Sequence, residues 1–365
     1  MIYLDYQATT PLAPEARDAM LRWLDGPEGE GFGNPHSPHR LGRQAHAAVD
    51  LAREQVAALM PPGGRIVFTS GATEAINLAM RGSAHDPGRA GDTRPIAVSA
   101  IEHSAVRDTA FALSPNAFEI PVDEQGLADP QADLPRDTRL VGVMQVNNEI
   151  GVVQPTREFY IRAREMGALY LCDAVQAAGR IPITDADLIA ISAHKFHGPK
   201  GIGALWVRDG VELASVSTGG RQEGDLRSGT VSPALCAGMG AAAKVALERM
   251  EEDAQHVEAL WQCAREKFAD WTLNGSADAR WHGNLNIRKD GLDVGRLMSE
   301  VRDVAFSAGS ACASGSGRPS HVLTAIGLER SGAKSSIRIG FGRYTTMEAL
   351  AKGCDRIIFA AAQQD

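Results

Sequence analysis

The sequence lacks the features that mark secreted, membrane-spanning and metal-binding proteins. It has only five cysteines in 365 residues, and these form neither a CxxC metal-site spacing nor a dense disulfide framework. No uninterrupted apolar run approaches a membrane span, and the first residues, MIYLDY, lack the basic and apolar regions of a signal peptide. We therefore expect a cytoplasmic protein without a metal site or membrane contact.

The sequence also lacks an excess of basic residues. Its 37 lysines and arginines against 45 acidic residues give a net charge of -8, which excludes a strongly basic nucleic-acid surface and favours a small-molecule substrate or a protein partner. Hydrophobic residues make up 44% of the chain, enough for a sizeable core. The length of 365 residues predicts a large domain with a smaller companion.

Short apolar runs alternate with amphipathic segments between about residues 40 and 210. This alternation predicts βαβ units on a largely parallel sheet. Val49, Ala52 and Val56 lie on one face of a predicted helix, and Pro155 opens another that Gly167 closes. The predicted strands are 66–68, 96–98, 141–143, 169–171, 188–191 and 204–207.

The pattern changes beyond residue 245. One long helix is predicted over 247–268, followed by strands at 285–287, 304–306 and 337–339 and a final helix from Met347. We expect a large domain at 16–245 and a smaller α+β domain formed by 1–15 and 246–365, although no spacing pattern indicates where the first fifteen residues belong.

Polar residues follow several predicted strands of the large domain, at the sheet edge where ligands bind in open α/β folds. Ser70 to Thr73 open a helix, whose free N–H groups and positive end suit a phosphate, although an ordinary capped helix start has the same pattern. His103, Asn148 and Asp173 follow further strands. Each alone could be a turn residue. Together they suit a pyridine cofactor, because an aspartate can keep the ring nitrogen protonated.

Lys195 lies at the end of an apolar strand, in a turn rich in Gly and Pro. Desolvation and neighbouring cations can activate such an amine for covalent binding of an aldehyde. Lys200, in the same turn, is a competitor, and a solvated loop lysine is the alternative interpretation of either. The order of Asp173, Ser192, His194 and Lys195 favours Lys195.

Six collinear segments stand out along the chain: 4–11, 69–74, 102–103, 146–151, 173–176 and 194–195. Together they resemble the cysteine desulfurases, in the class V branch of the fold-type I pyridoxal-phosphate enzymes, and the resemblance covers almost the whole chain. The resemblance implies an α/β fold in which a mainly parallel seven-stranded sheet is flanked by helices, with a smaller α+β domain. It also implies a homodimer and the cofactor pyridoxal 5'-phosphate.

The resemblance also implies a role for each matching residue. Lys195 binds the cofactor covalently, Asp173 pairs with its ring nitrogen, and His103 stacks on the ring. Gln176 and Asn148 contact the phenolic oxygen or the substrate. The residues implied at the phosphate are Ala72, Thr73, Ser192, His194 and, from a partner subunit's loop, Thr230.

Cys312 lies in a segment of Gly, Ser and Ala at 306–316. This segment resembles the longer sulfur-accepting loop of desulfurases that serve general iron–sulfur assembly, which implies that Cys312 accepts sulfur as a persulfide. We expect the other cysteines to be small packing residues: Cys172, Cys236, Cys263 and Cys354.

Arg338 belongs to a strand in which Ile337, Ile339 and Phe341 face the opposite way. Its guanidinium is therefore predicted to be free to clamp a substrate carboxylate, as the family's arginine in this strand does. A surface arginine on an edge strand is the alternative, and Arg343 is a weaker candidate for the clamp.

Two parts of the chain depart from the family pattern. In the segment 219–230, relatives usually have Gly, Arg and Gly where Arg221, Gly224 and Asp225 stand, and Gln7 replaces a small polar residue. We also expect no C-terminal tail of the kind that some relatives use to dock a scaffold protein.

The expected reaction converts L-cysteine to L-alanine. Lys195 removes the Cα proton, His103 exchanges a proton with the thiol, and Cys312 takes the sulfur for iron–sulfur assembly, transfer-RNA thiolation or another acceptor protein. Three alternatives stay open. A class V aminotransferase has no need of Cys312, a selenocysteine lyase differs only in substrate preference, and a non-catalytic assembly partner requires no turnover.

Overall fold

The computed structural model describes residues 1–83, 92–309 and 320–364. Cys312 lies outside these ranges. The chain begins with strand β1 (Ile2–Tyr3) and helices α1 (Pro14–Leu21) and α2 (Arg40–Ala57). In α2, Val49, Ala52 and Val56 are buried on one face, which confirms the helix predicted from their spacing.

A seven-stranded mixed sheet dominates the part of the chain up to residue 208. Its strands are β2 (Gly64–Thr69), β3 (Ile96–Ser99), β4 (Phe118–Ile120), β5 (Leu140–Gly142), β6 (Leu169–Asp173), β7 (Leu188–Ser192) and β8 (Gly203–Arg208). Their spatial order is β2-β8-β7-β6-β5-β3-β4, and only β8 runs antiparallel to its neighbours. The mainly parallel sheet is confirmed. The sequence pattern missed only the short edge strand β4.

Helices cover both faces of this sheet, because side chains along each strand alternate between two cores. Phe68 packs in one core with α2, α5 (Thr156–Glu165) and α6 (Pro233–Glu248). Its neighbour Val67 packs in the other with α3 (Ala72–Gly82) and α4 (Ser104–Leu113). The strands are therefore apolar on both faces, and polar residues concentrate where they end.

A smaller antiparallel sheet follows in the chain. After α7 (Met250–Lys267), the remaining elements are β9 (Thr272–Leu273), β10 (Asn284–Arg288), α8 (Val294–Glu300), β11 (Val304–Ala305), β12 (Ser307–Ala308), α9 (His321–Ala325), α10 (Arg330–Lys334), β13 (Ser336–Gly340) and α11 (Met347–Ala362). The order of this sheet is β12-β13-β10-β9, and β1 pairs with β11. The domain boundaries at 15/16 and 245/246 stay a prediction.

The long helix predicted over 247–268 is confirmed as α7 (Met250–Lys267), but its predicted start is wrong. Helix α6 ends at Glu248 and α7 begins at Met250, with a break at Arg249. The apolar residues of the two helices pack in different cores, Met239 against the large sheet and Leu260 against the small one. The chain must therefore turn between them. Within the described ranges, no helix is both long and apolar enough to cross a membrane.

Candidate active site

A cavity of about 460 Å³ lies at the carboxyl ends of the parallel strands, and Arg338 of β13 closes one side of it. This is the edge where ligands bind in open α/β sheets. The residues predicted for the site that line this cavity are Ala72, Thr73, His103, Asn148, Asp173, Gln176, Ser192, His194, Lys195 and Arg338. The fold thus brings together side chains that lie up to 266 positions apart in the sequence.

The start of α3 forms one end of the cavity. Gly71 is the N-cap residue and provides no side-chain cap, so the first-turn N–H groups are open to a ligand. A Cβ atom on Gly203 would lie 2.7 Å from Gly71 Cα, so only glycine lets β8 run directly beneath this turn. The nearby Glu74 carboxylate pairs with Arg227 at 3.0 Å, which reduces its repulsion of an anion.

Asp173 is buried at the end of β6, facing the cavity. Its Oδ1 accepts a hydrogen bond from the Val175 N–H at 2.9 Å. Burial raises the pKa of Asp173, while the positive potentials of His103 and Lys195 act in the opposite direction. A cationic ring nitrogen beside this carboxyl would add to that opposing potential.

His103 caps helix α4, and its Nδ1 accepts a hydrogen bond from the Ala105 N–H at 3.1 Å. The neutral ring therefore carries its proton on Nε2. The preceding residue, Glu102, is fully buried and accepts from the Ser99 hydroxyl and the Met144 N–H, both at 2.7 Å. Burial raises the pKa of Glu102 to about 8. Glu102 was not among the predicted site residues, although an acidic residue directly after a largely apolar run is a signal in the sequence.

Lys195 ends a short 3₁₀ turn (Ala193–Lys195) directly after β7. Its Nζ donates to the carbonyl oxygens of Gln7 at 2.5 Å and Ala8 at 2.9 Å, so the N-terminal segment forms the wall beside it. Lys200 is exposed and does not line the cavity. The placement of the two lysines thus agrees with the preference for Lys195.

His194 lies beside Lys195, and its Nδ1 is 3.2 Å from the Thr9 hydroxyl. Burial lowers the pKa of His194 to about 4, and the charge of Lys195 acts in the same direction. The ring is therefore neutral near pH 7, so it can contact a phosphate through a hydrogen bond but adds no charge.

Gln176 is buried and donates from Nε2 to the Gln7 carbonyl at 3.1 Å, while its Oε1 accepts from Arg180 Nη1. Arg180 was absent from the predicted site. Asn147 has a structural role, because its Oδ1 accepts hydrogen bonds from the N–H groups of Glu149 and Ile150.

Arg338 is engaged, whereas the sequence predicted a free guanidinium. Its side chain is 1% exposed, its Nη2 pairs with Asp5 Oδ1 at 2.8 Å, and its Nη1 donates to the Asn148 carbonyl at 3.0 Å. Strand β13 is interior to its sheet, which excludes the surface-arginine alternative. The buried Nε has no hydrogen-bond partner among the described residues and is a donor available to a ligand. Arg343 instead pairs with Asp253.

The segment 219–230 keeps a backbone that glycine favours even where glycine is absent. Arg221 and Asp225 adopt φ angles of 56° and 66°, each at a cost on the order of 1 kcal/mol. Glu223 anchors the segment through Arg53 at 2.7 Å and the Phe68 N–H at 2.8 Å. Thr230 is exposed and does not line the cavity of its own chain.

The cysteines divide by burial. Cys172, Cys236 and Cys354 are buried, and the half-buried Cys263 packs against the core of the small sheet, so all four are packing residues as expected. In the described part of the chain, no group of three or more His, Cys, Asp or Glu side chains is arranged to hold a metal ion.

Comparisons with known proteins show which family the chain belongs to. Residues 2–352 match the family model for class-V aminotransferases. The chain is 41% identical to the probable mitochondrial cysteine desulfurase of Dictyostelium discoideum, over 96% of this chain and 80% of that protein. It is 42% identical to the cysteine desulfurase IscS of Vibrio vulnificus, over 99% and 93%.

Solved structures give the same result. A NifS-like protein superposes with a TM-score of 0.88 at 30% identity, covering 98% of each chain. The structure of SspA in complex with cysteine superposes with a TM-score of 0.81 at 33% identity, covering 95% of this chain and all of the other. The chain therefore belongs to the class-V aminotransferase family and, within it, to the cysteine desulfurases.

Proposed function

We propose that this cysteine desulfurase converts L-cysteine to L-alanine with Lys195 as the cofactor-binding amine and Cys312 as the sulfur acceptor. The observation that carries this proposal is that Lys195, buried Asp173 and the uncapped start of α3 line one cavity. Each of these groups matches a different part of pyridoxal 5'-phosphate: the aldehyde, the ring nitrogen and the phosphate.

Pyridoxal 5'-phosphate is the cofactor that membership of this family implies, and the lining residues fit it. Asp173 would hold the ring nitrogen, His103 would stack on the ring, and Gln176 would donate to the phenolic oxygen. The residues proposed for the phosphate are Ala72, Thr73, Ser192 and His194. When bound, the cofactor supplies an electron sink for the carbon atoms of the substrate.

The chain's own residues would orient the substrate and move its protons. The Nε group of Arg338 would bind the cysteine carboxylate, next to the Asn148 backbone. Lys195 Nζ would take the Cα proton, since it is the amine at the cavity wall. His103 Nε2 would exchange a proton with the substrate thiol.

Cys312 is the proposed sulfur acceptor because its segment of the sequence resembles the sulfur-accepting loop of the family. Its thiolate attacks the substrate sulfur, so an S–S bond forms while the substrate C–S bond breaks. The electron pair of the broken bond stays with the carbon fragment, which takes up a proton and leaves as alanine. The products are alanine and a Cys312 persulfide, and no external oxidant is needed.

Mass spectrometry of the protein after incubation with cysteine tests this assignment. We expect one added sulfur atom on the Cys312 peptide, and loss of alanine formation in Cys312→Ala. Cys263→Ala is the matched control, because Cys263 is half-buried and does not line the cavity. Alanine formation at the normal rate by Cys312→Ala would overturn the assignment.

The same incubation separates the competing activities. A transaminase would need an oxo-acid acceptor, whereas a desulfurase forms alanine from cysteine alone. Comparing the rates on cysteine and selenocysteine separates a desulfurase from a selenocysteine lyase.

We further propose a homodimer in which Thr230 reaches the cavity of the second subunit, and an iron–sulfur scaffold or another sulfur acceptor as the partner protein. The exposed position of Thr230 supports the first. The cytoplasmic location also stays a prediction, since the relatives include both bacterial and mitochondrial proteins.

A further inference from the structure

Arg180 lies behind the cavity wall, four residues after Gln176, and its donors point to neutral oxygens. Its Nη1 contacts the Gln176 Oε1 and, at 3.2 Å, the Gln176 carbonyl. Its Nη2 donates to the Lys195 carbonyl at 2.9 Å, and its guanidinium carbon lies 4.3 Å from the Trp281 ring centroid. Within the described ranges, no carboxylate forms an ion pair with Arg180, so neutralising an acid is not its role.

These contacts determine which way the Gln176 amide points. A guanidinium only donates and a backbone carbonyl only accepts, so the Gln176 oxygen must face Arg180 and the Gln176 nitrogen must face the Gln7 carbonyl. The flipped amide would place an NH₂ group against the guanidinium and an oxygen against the carbonyl, and both hydrogen bonds would be lost. With the oxygen occupied, the second N–H of Nε2 is the group that this amide can offer to the cavity.

We infer that Arg180 is a positioning residue that locks the Gln176 amide as a hydrogen-bond donor toward the phenolic oxygen of the cofactor. The same guanidinium holds the Lys195 carbonyl, so one side chain fixes the donor amide and the backbone of the cofactor-binding lysine together. The inference rests on the proposed role of Gln176. Without Arg180, the amide could present its oxygen to an oxygen of the cofactor, which is repulsive.

The test is an absorbance-monitored pH titration of the bound cofactor in purified holoenzymes. A donor to the phenolic oxygen lowers its basicity, so its loss should raise the titration midpoint. We expect Gln176→Ala and Arg180→Met each to raise the midpoint by about one pH unit, the size of one hydrogen bond to a charged group. The double variant should shift no further than Gln176→Ala alone, because Arg180 acts through the amide.

Arg208→Met is the matched control. Arg208 also lies over a tryptophan, 5.2 Å from the Trp206 ring centroid, and donates to the Ala186 carbonyl at 2.8 Å, but it does not line the cavity. We expect no shift of the midpoint in this variant. If Arg180→Met does not fold, Arg180→Lys replaces it, since lysine keeps the charge but cannot contact Gln176 and Lys195 with a two-pronged group.

Two outcomes would overturn the inference. Either Arg180→Met leaves the midpoint unchanged, like Arg208→Met, or its shift is equally large in the Gln176→Ala background, which would mean that Arg180 acts by its charge and not through the amide. Failure of the proposed function looks different, because the wild-type protein would then show no absorbance band of a bound cofactor.

Discussion

The two sides of the cavity handle buried charge differently. On the large-sheet side, the carboxyls of Asp173 and Glu102 are held by backbone N–H groups and a hydroxyl, and burial raises the pKa of both. On the small-sheet side, the Arg338 guanidinium is matched by the carboxylate of Asp5. Among the described residues, the Arg338 charge is thus held in an ion pair, whereas the carboxyls of Asp173 and Glu102 have hydrogen bonds but no ion pair.

This difference indicates that the two sides of the cavity have different roles in catalysis and in substrate binding. A buried carboxyl that has no ion pair with a described residue favours a positively charged ligand group, such as a protonated ring nitrogen. A buried arginine that is already ion-paired offers a hydrogen-bond donor, here Nε, in a fixed orientation toward a ligand. We therefore expect the chemical step to depend on the large-sheet side and substrate binding to depend on the small-sheet side.

The largest expected effect is on the large-sheet side, in Lys195→Ala. Loss of the cofactor-binding amine and proton acceptor should lower kcat by about 10³-fold or more, and the absorbance band of the lysine-bound cofactor should disappear. Lys200→Ala is the control, because Lys200 is exposed in the same turn, and its spectrum and kcat should match the wild type. The reverse result would move the cofactor amine to Lys200.

A smaller effect is expected on the small-sheet side, in Arg338→Met. Loss of a charged hydrogen bond to the substrate carboxylate should raise KM for cysteine by about 10- to 100-fold, with less change in kcat. Arg343→Met should leave KM unchanged, since Arg343 pairs with Asp253 outside this cavity. Steady-state kinetics of the two variants measure this. A fall in kcat alone for Arg338→Met would contradict the proposal that the small-sheet side serves substrate binding.

A third effect is expected on the large-sheet side, on stability and not on activity, in Glu102→Gln. The folded protein holds a proton on Glu102 up to a pKa of about 8, against its usual 4.5, so wild-type stability falls as pH rises through that window. Glutamine cannot ionise. The variant should therefore gain stability relative to the wild type between pH 5 and pH 9, on the order of 3 kcal/mol.

Urea unfolding of the cofactor-free proteins at both pH values measures this gain. Glu124→Gln, which replaces an exposed carboxyl, is the control. Parallel stability curves for wild type and Glu102→Gln would contradict this, because they would show that Glu102 has the same pKa in the folded and the unfolded protein.

Much of the large sheet could be predicted from the sequence because its strands are apolar on both faces and end in polar residues. That pattern placed His103, Asp173 and Lys195 at one sheet edge, where the structure has them. The edge strand β4 was missed because it has only three residues, Phe118–Ile120, too few to show a periodicity.

Contacts between distant segments could not be predicted in this way. Nothing near Arg338 in the sequence points to Asp5, which lies 333 positions away. The break at Arg249 was missed for a related reason, since the residues on both sides favour a helix and only their packing in two different cores separates them.

The sequence by itself determined most strands of the large sheet, the order of the site residues along the chain and the family, because local periodicity and collinear motifs are properties of the chain alone. Only the tertiary structure decided which charges are ion-paired, which way the Gln176 amide points and which donor of Arg338 is available to a ligand. These depend on burial and on partners brought together from distant segments, and burial is what gives an ion pair or a hydrogen bond its energy.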